Sequence, residues 1–367
     1  MGPRQGSLRR LAAALVAAAV TLGLVELALR LAVPPSASQV LRGLHRAVPD
    51  KPWLYELVPG ERRRDPVSGV EYAVSPAGFR DRARDRAKPD GTFRIAVIGD
   101  SLTFGYGVAL DATFSSLIEQ RLVSSRGVAA YEVLNLGVSG YNPYTEAELL
   151  RGVGLDFAPD LVLVQFCVND LNDPTLHFDA STMLALGAIP DAAFPDRERS
   201  PVREPAMPGP LSGLCDASRL CTLLTAALQP GRPPEEMIAA LKPHDDPSEG
   251  ELRWLEALYA RMARDVRARG GELVLVVFPY QTQLEPGAGD ALQQKLRTVG
   301  ERAGITVIDL LPAFRRAASA ADTGALFLDM WHPTARGHRV AADELFRALA
   351  CARLLPGVVA RCDQGAG

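Results

Sequence analysis

From Thr92 onward, short apolar runs alternate with segments of helical spacing, and this alternation restricts the fold more than any other feature. Phe93 to Ile98 is apolar except for Arg94 and ends at Gly99. Tyr131 to Leu136, Leu161 to Phe166, Glu272 to Phe278 and Ile305 to Leu310 repeat the pattern. Between these runs, Phe114, Leu117, Ile118 and Leu122 recur at helical spacing, as do Leu255, Leu258, Tyr259, Met262 and Val266. Further helices are expected over 143–155, 288–303 and 334–350. A run as apolar as Leu161 to Phe166 suits a strand covered on both faces. The alternation therefore predicts an α/β fold, three layers deep (α/β/α), around a mostly parallel sheet with right-handed crossovers. Ligands bind such sheets beyond the carboxyl ends of the strands. The residues that close each run are the ones to read for chemistry.

Outside this core the chain changes character. In residues 1–35, Arg4, Arg9 and Arg10 precede an apolar run from Leu11 to Val33, interrupted by Glu26 and Arg30. That length crosses a hydrocarbon layer of about 30 Å as a helix. A basic flank before an apolar run also begins a secretory signal, but Pro34 and Pro35 break the exit and no small-x-small cleavage pattern follows. An uncleaved, single-pass anchor is the expectation. Residues 36–91 read as a polar, Pro-broken juxtamembrane region, and 92–350 as the main domain. Within it, 171–248 is rich in Pro, Asp and Ala and reads as an insertion or lid, with a spacer as the other reading. Residues 351–367 read as a tail.

Charge and cysteine usage narrow the partners and the compartment. A net charge of −3 leaves no basic surplus, so nucleic acid is not an expected partner. Four of the five cysteines form two close pairs, Cys215 with Cys221 and Cys351 with Cys362. Each pair can close a short disulfide loop, which favours a main domain outside the cytoplasm. Cys167, in an apolar run, reads as a small core residue. No C-x-x-C is present to suggest a zinc knuckle. Gly105-Tyr106-Gly107 lacks both the P-loop lysine and the dinucleotide glycine spacing. No metal or cofactor is expected.

Four polar clusters close the runs or lie beside them. Gly99-Asp100-Ser101-Leu102 follows the first run, where a serine at a strand-to-helix turn can present its hydroxyl; a capping turn is the other reading. Asn135 to Gly140 follows the second run, with glycines suited to positive φ. Val168-Asn169-Asp170 closes the third, where Asn169 either donates its amide to an oxyanion or forms an Asx-turn. Asp329-Met330-Trp331-His332-Pro333 precedes the last helix, with Pro333 expected at or near its first position. A carboxylate three residues before a histidine can reach Nδ1 and leave Nε2 free as a general base. His45, His177, His244 and His338 carry only structural readings.

In this order and at these positions, the four clusters resemble the motif blocks of the SGNH hydrolases, the GDSL esterase/lipase superfamily. The likeness runs from Gly99 to Pro333, about two thirds of the chain. The resemblance implies a serine esterase in which Ser101 is the nucleophile, His332 the base and Asp329 the residue orienting it. It implies an oxyanion hole made of the Ser101 N–H, a glycine N–H and the Asn169 side chain. Gly140 is the better-placed glycine and Gly137 the lesser choice. The third block departs from the family's Gly-x-Asn-Asp, since Cys167 stands where the glycine would be. Ser75-Pro76-Ala77-Gly78-Phe79-Arg80 also resembles a segment of membrane-anchored bacterial members; Arg80 reads as a surface arginine, with lining the site as the alternative.

The expected reaction is hydrolysis of O-acyl esters, on acetylated envelope polysaccharide or on lipids. An O-acyltransferase using the same triad is one rival, since residue types do not separate water from a sugar hydroxyl as acceptor. A non-catalytic scaffold with this fold is the other, and the joint presence of Ser101, Gly140, Asn169, Asp329 and His332 argues against it.

Overall fold

The computed structural model describes residues 3–32, 43–48, 50–65, 68–125, 130–171, 245–319 and 325–359, together with Ser218, Leu220 and Cys362. The chain divides into two compact units, one of residues 1–36 with 200–242 and the other of 37–199 with 243–367.

The first unit contains α1, Pro3–Ala32. Its stretch Ala12–Leu29 is long and apolar enough to cross a membrane, with a mean hydropathy of 2.2 and none of its residues buried among the described ones. A membrane anchor and a signal sequence share these properties. Glu26, the acidic break in the run, accepts hydrogen bonds from the Ser218 hydroxyl and the Leu220 N–H, each at 2.9 Å. These partners offset part of the cost of a carboxylate in an apolar helix.

The second unit holds the expected α/β fold. Five strands, β5 (Thr92–Ile98), β6 (Ala130–Asn135), β7 (Leu161–Phe166), β8 (Glu272–Val277) and β9 (Thr306–Asp309), pair in the order β6-β5-β7-β8-β9. All four pairings are parallel. Every residue of β7 is buried, as a central strand covered on both faces requires. Two helix layers supply that cover. On one face α3 (Phe114–Ser124) packs on α8 (Ala335–Cys351), which also touches α7 (Leu311–Ser319). On the other, α5 (Glu249–Arg267) packs on α4 (Pro143–Gly152) and α6 (Ala291–Ala303). The short α2 (Ser101–Phe104) follows β5 directly. The helix α7 carried no expectation, since its nine residues follow β9 with almost no loop between them. Thr334, not Pro333, caps α8, accepting the Gly337 N–H at 3.2 Å.

The chain passes from β5 to β6 on one side and then to β7 on the other. This reversal leaves a crevice between the carboxyl ends of β5 and β7, the usual place for a ligand in a doubly wound sheet.

The juxtamembrane reading of 36–91 needs correction. Two small antiparallel hairpins form there, β1 (His45–Ala47) with β2 (Tyr55–Leu57), and β3 (Arg62–Arg64) with β4 (Glu71–Ala73). Strands of three residues are too short for periodicity to reveal. They are nevertheless part of the core, because Leu44, Tyr55, Leu57 and Tyr72 are all buried in it. Arg80 is likewise not a surface residue but fully buried.

The tail is held as well. A disulfide joins Cys351 to Cys362, as the spacing suggested, and the Tyr131 hydroxyl donates to the Pro356 carbonyl. Cys167 is a buried free thiol. The Cys215–Cys221 pair and nearly all of the 171–248 insertion lie outside the described residues.

If the hairpins belong to the folded unit, Leu57→Ala should lower the unfolding free energy by about 3 kcal/mol, the usual cost of a buried leucine truncation. Denaturant unfolding in detergent measures this; an unchanged midpoint would return 36–91 to the status of a spacer.

Candidate active site

Each candidate residue sits where a strand or helix ends. Ser101 is the first residue of α2, one step beyond the capping residue Asp100. The Asp100 side chain is fully buried and accepts the Leu102 N–H at 2.9 Å. The Asp100 N–H donates to Gln165 Oε1 on β7 at 3.2 Å, and the Thr103 hydroxyl donates to the same oxygen at 3.0 Å. The turn that carries Ser101 is therefore tied sideways to the neighbouring strand.

His332 and Asp329 come from a tight loop before α8. Leu328 N–H donates to the His332 carbonyl at 2.7 Å, and Thr334 N–H to the Leu326 carbonyl at 2.9 Å. The loop tip is pinned to the segment after β8, where Gln281 N–H donates to the Met330 carbonyl at 2.7 Å. Asp329 Oδ1 accepts the backbone N–H groups of Trp331 and His332 at 3.0 and 2.9 Å. Its Oδ2 lies 2.7 Å from His332 Nδ1, and His332 Nε2 lies 2.9 Å from Ser101 Oγ. The structure thus brings Ser101, His332 and Asp329 into one hydrogen-bonded chain across residues far apart in sequence. Burial opposes the Asp329 charge, but the bonds to His332 and to the backbone outweigh it and leave the carboxyl below its ordinary range.

Asn169 lies on a single helical turn, Val168–Leu171, after β7. Its Nδ2 donates to Asp100 Oδ2 at 2.7 Å, across the β5/β7 crevice. The amide has a second N–H, which this bond leaves over. Asp170, not Asn169, closes the turn: its Oδ2 accepts the Cys167 N–H at 2.8 Å. Burial pushes the carboxyl of Asp170 well up, and that of Glu146 behind it likewise.

The two glycines of the second cluster differ. The Gly137 N–H is spent on Asn135 Oδ1 at 3.0 Å, and a Cβ there would meet the Phe104 nitrogen at 2.4 Å. Close packing explains that glycine. Gly140 has a φ of +82° and sits beyond Val138, whose N–H donates to the Gly99 carbonyl at 3.0 Å. That bond draws the loop to the turn that carries Ser101. The residues around Gly140 are fixed from the hairpins: Tyr55 OH donates to the Ser139 carbonyl at 3.2 Å, and Tyr141 OH to the Tyr55 carbonyl at 2.5 Å.

Several residues of the site carried no expectation beyond capping or packing. Asp100 and Gln165 are two, and Tyr106, whose ring lies against His332, is a third. Arg80 is a fourth. Burial draws its pKa down to about 10, and it donates to the carbonyls of Phe104, Gly105 and Val108 instead of facing solvent. The only signal for it was the short Ser75–Arg80 resemblance. Among the described residues, no group of three or more His, Cys, Asp or Glu side chains is arranged to hold a metal ion.

The family model described as the GDSL-like Lipase/Acylhydrolase family matches residues 97–340. No curated protein matches the chain. Among solved structures, an α/β hydrolase from the metagenome of Lake Arreo, Spain, is 19% identical with a TM-score of 0.42, over 71% of this chain and 95% of that one. An acetylxylan esterase of Geobacillus stearothermophilus is 14% identical with a TM-score of 0.42, over 70% and 93%. A member of the lipolytic G-D-S-L family from Veillonella parvula DSM 2008 is 12% identical with a TM-score of 0.39, over 69% and 96%.

The helix α8, which follows the His332 loop, carries a buried histidine that titrates with folding. His338 on α8 is fully buried, and its Nδ1 accepts the Phe114 N–H at 3.2 Å, which requires that nitrogen to be unprotonated. Burial first, then the charges of Arg80 and His332, pull its pKa from 6.5 down to about 3. The unfolded chain therefore binds a proton that the folded one refuses, so stability from this group falls as pH drops from about 6.5 toward 3. Thermal unfolding across that interval should show a shallower acid decline in His338→Asn than in the wild type.

Proposed function

Because the chain belongs to the GDSL-like lipase/acylhydrolase family, we propose that it is a serine esterase working through Ser101, His332 and Asp329. The observation that carries this reading is the unbroken run of hydrogen bonds from Asp329 Oδ2 through both imidazole nitrogens to Ser101 Oγ. Ser101 Oγ attacks the ester carbonyl while His332 Nε2 takes its proton, and Asp329 holds the ring and offsets the charge that forms on it. The tetrahedral intermediate collapses as His332 returns the proton to the departing alcohol. Water then releases the acyl group by the same route in reverse.

The carbonyl oxygen becomes an anion on the way. Its donors in this proposal are the Ser101 N–H, the Gly140 N–H and the second N–H of Asn169, whose first is committed to Asp100. Donors already fixed in place cost no reorganisation when the charge appears, which is why each matters.

The substrate is an O-acyl ester outside the cytoplasm, and acetylated envelope polysaccharide is the class put forward. Two features support the location: an apolar N-terminal helix of membrane-spanning length, read as an uncleaved anchor, and the Cys351–Cys362 disulfide, which suits an oxidising compartment.

A fluorophosphonate probe should label the wild type and leave Ser101→Ala unlabelled; a folded wild type that stays unlabelled would sink the esterase reading. Asn169→Ala should fold normally yet lose kcat by roughly 100- to 1000-fold, and near-normal turnover would remove Asn169 from the oxyanion hole. Acetate release from acetylated oligosaccharides, set beside release of fatty acid from lipid esters, tests the substrate class.

A further inference from the structure

The proposed triad is unevenly protected. The Asp329 side chain is 46% exposed, whereas His332 beside it is 14% exposed. Water competes for a carboxylate in that position, and such a pair restrains its partner weakly. An imidazole held by Asp329 alone would swing about its χ angles and lose its aim at Ser101.

A second neighbour lies against the ring. The Tyr106 ring centroid is 4.5 Å from that of His332, with the planes inclined at 49°. Tyr106 lies on the turn after α2, and buried groups from the N-terminal hairpin region hold that turn. The Arg80 guanidinium donates to the carbonyls of Phe104, Gly105 and Val108 at 2.8, 2.6 and 2.6 Å, so the chain on both sides of Tyr106 is fixed. The Tyr72 hydroxyl accepts the Gly107 N–H at 2.9 Å. The Arg80 guanidinium also lies against the rings of Tyr72 and Phe104, at 4.7 and 5.1 Å from their centroids. Such a buried guanidinium moves little, and neither does the turn it holds.

We propose that Tyr106 is a positioning residue for His332, its ring backing the imidazole so that Nε2 stays directed at Ser101 Oγ. Arg80 and Tyr72 are the struts that keep Tyr106 there. This inference rests on the role of His332 as general base. The hydroxyl of Tyr106 has no part in it; the ring does the work by contact.

The test uses the full chain in detergent, with p-nitrophenyl acetate as substrate and fluorophosphonate labelling to count active sites. Tyr106→Ala should lower kcat by about tenfold or more, with KM changed by less than about threefold, because misaim costs turnover more than binding. Tyr106→Phe should restore most of the lost kcat. Asp329→Asn should cost more in the Tyr106→Ala background than in the wild type, since the two groups restrain one ring. Unfolding midpoints of the single variants separate misaim from unfolding. Wild-type kcat in a folded Tyr106→Ala, equal losses in the Phe and Ala variants, or independent effects of Tyr106 and Asp329 would each overturn the inference. A wild type that neither turns over nor labels would instead defeat the esterase reading beneath it.

Discussion

One hydrogen bond spans the point on which the site depends. Asn169 Nδ2 reaches Asp100 Oδ2 at 2.7 Å, from the end of β7 to the end of β5, across the gap left where the sheet changes its direction of winding. Asp100 lies wholly out of water, and burial raises its pKa, but three N–H groups attend it and its neighbours: those of Leu102 and Asn169 on the carboxylate, and its own on Gln165. Charge-assisted bonds of this kind contribute about 1.5–3 kcal/mol each. A bond of that strength fixes the separation between the turn bearing Ser101 and the turn bearing Asn169. Any chemistry needing both then inherits its geometry from the sheet and not from flexible loops.

The loops that remain are braced from the N-terminal side. Tyr55 ties the Ser139 carbonyl, Tyr72 ties the Gly107 N–H, and Arg80 ties the last carbonyl of α2 and two of the segment that follows it. All three braces lie within the stretch that follows the apolar helix by composition alone. A parallel sheet offers its carboxyl edge as a row of open turns, and here two hairpins of three-residue strands, together with Arg80, brace them. The described residues of 43–91 thus belong to the same folded unit as the sheet, whatever spacing role they also have.

The sheet was legible because its signal is collective. Six buried residues in a row at Leu161–Phe166 leave little room for another reading, and α5 shows its face in Leu255, Leu258, Tyr259, Met262 and Val266. The chemistry-bearing clusters were legible because each ends a strand or opens a helix, where a polar residue stands out. The hairpins were not, because three-residue strands have no period to detect. Arg80 was misread for a related reason: a lone arginine looks solvated unless its partners are known, and backbone carbonyls leave no mark in a sequence. Tyr106 was passed over since Gly105-Tyr106-Gly107 was weighed only as a nucleotide-binding loop. That the Gly137 N–H is taken by Asn135 Oδ1 was also beyond the sequence, since the side chain has to bend back to reach it.

The pairing of β7 with β8 has a consequence for how the molecule comes to be. Leu161 stands opposite Glu272, so this ladder joins segments more than a hundred residues apart, whereas β5, β6 and β7 lie close along the chain. Closing so long a loop has to be met in entropy before any contact rewards it, and pairings of that kind form slowly. A chain emerging from the ribosome can therefore assemble the half-sheet bearing Ser101 and Asn169 well before the strand and loop that deliver His332. Ser101 and His332 meet only when the last third of the polypeptide has docked. An unfinished or cut-short copy has the Ser101 turn without the imidazole that hydrogen-bonds to it.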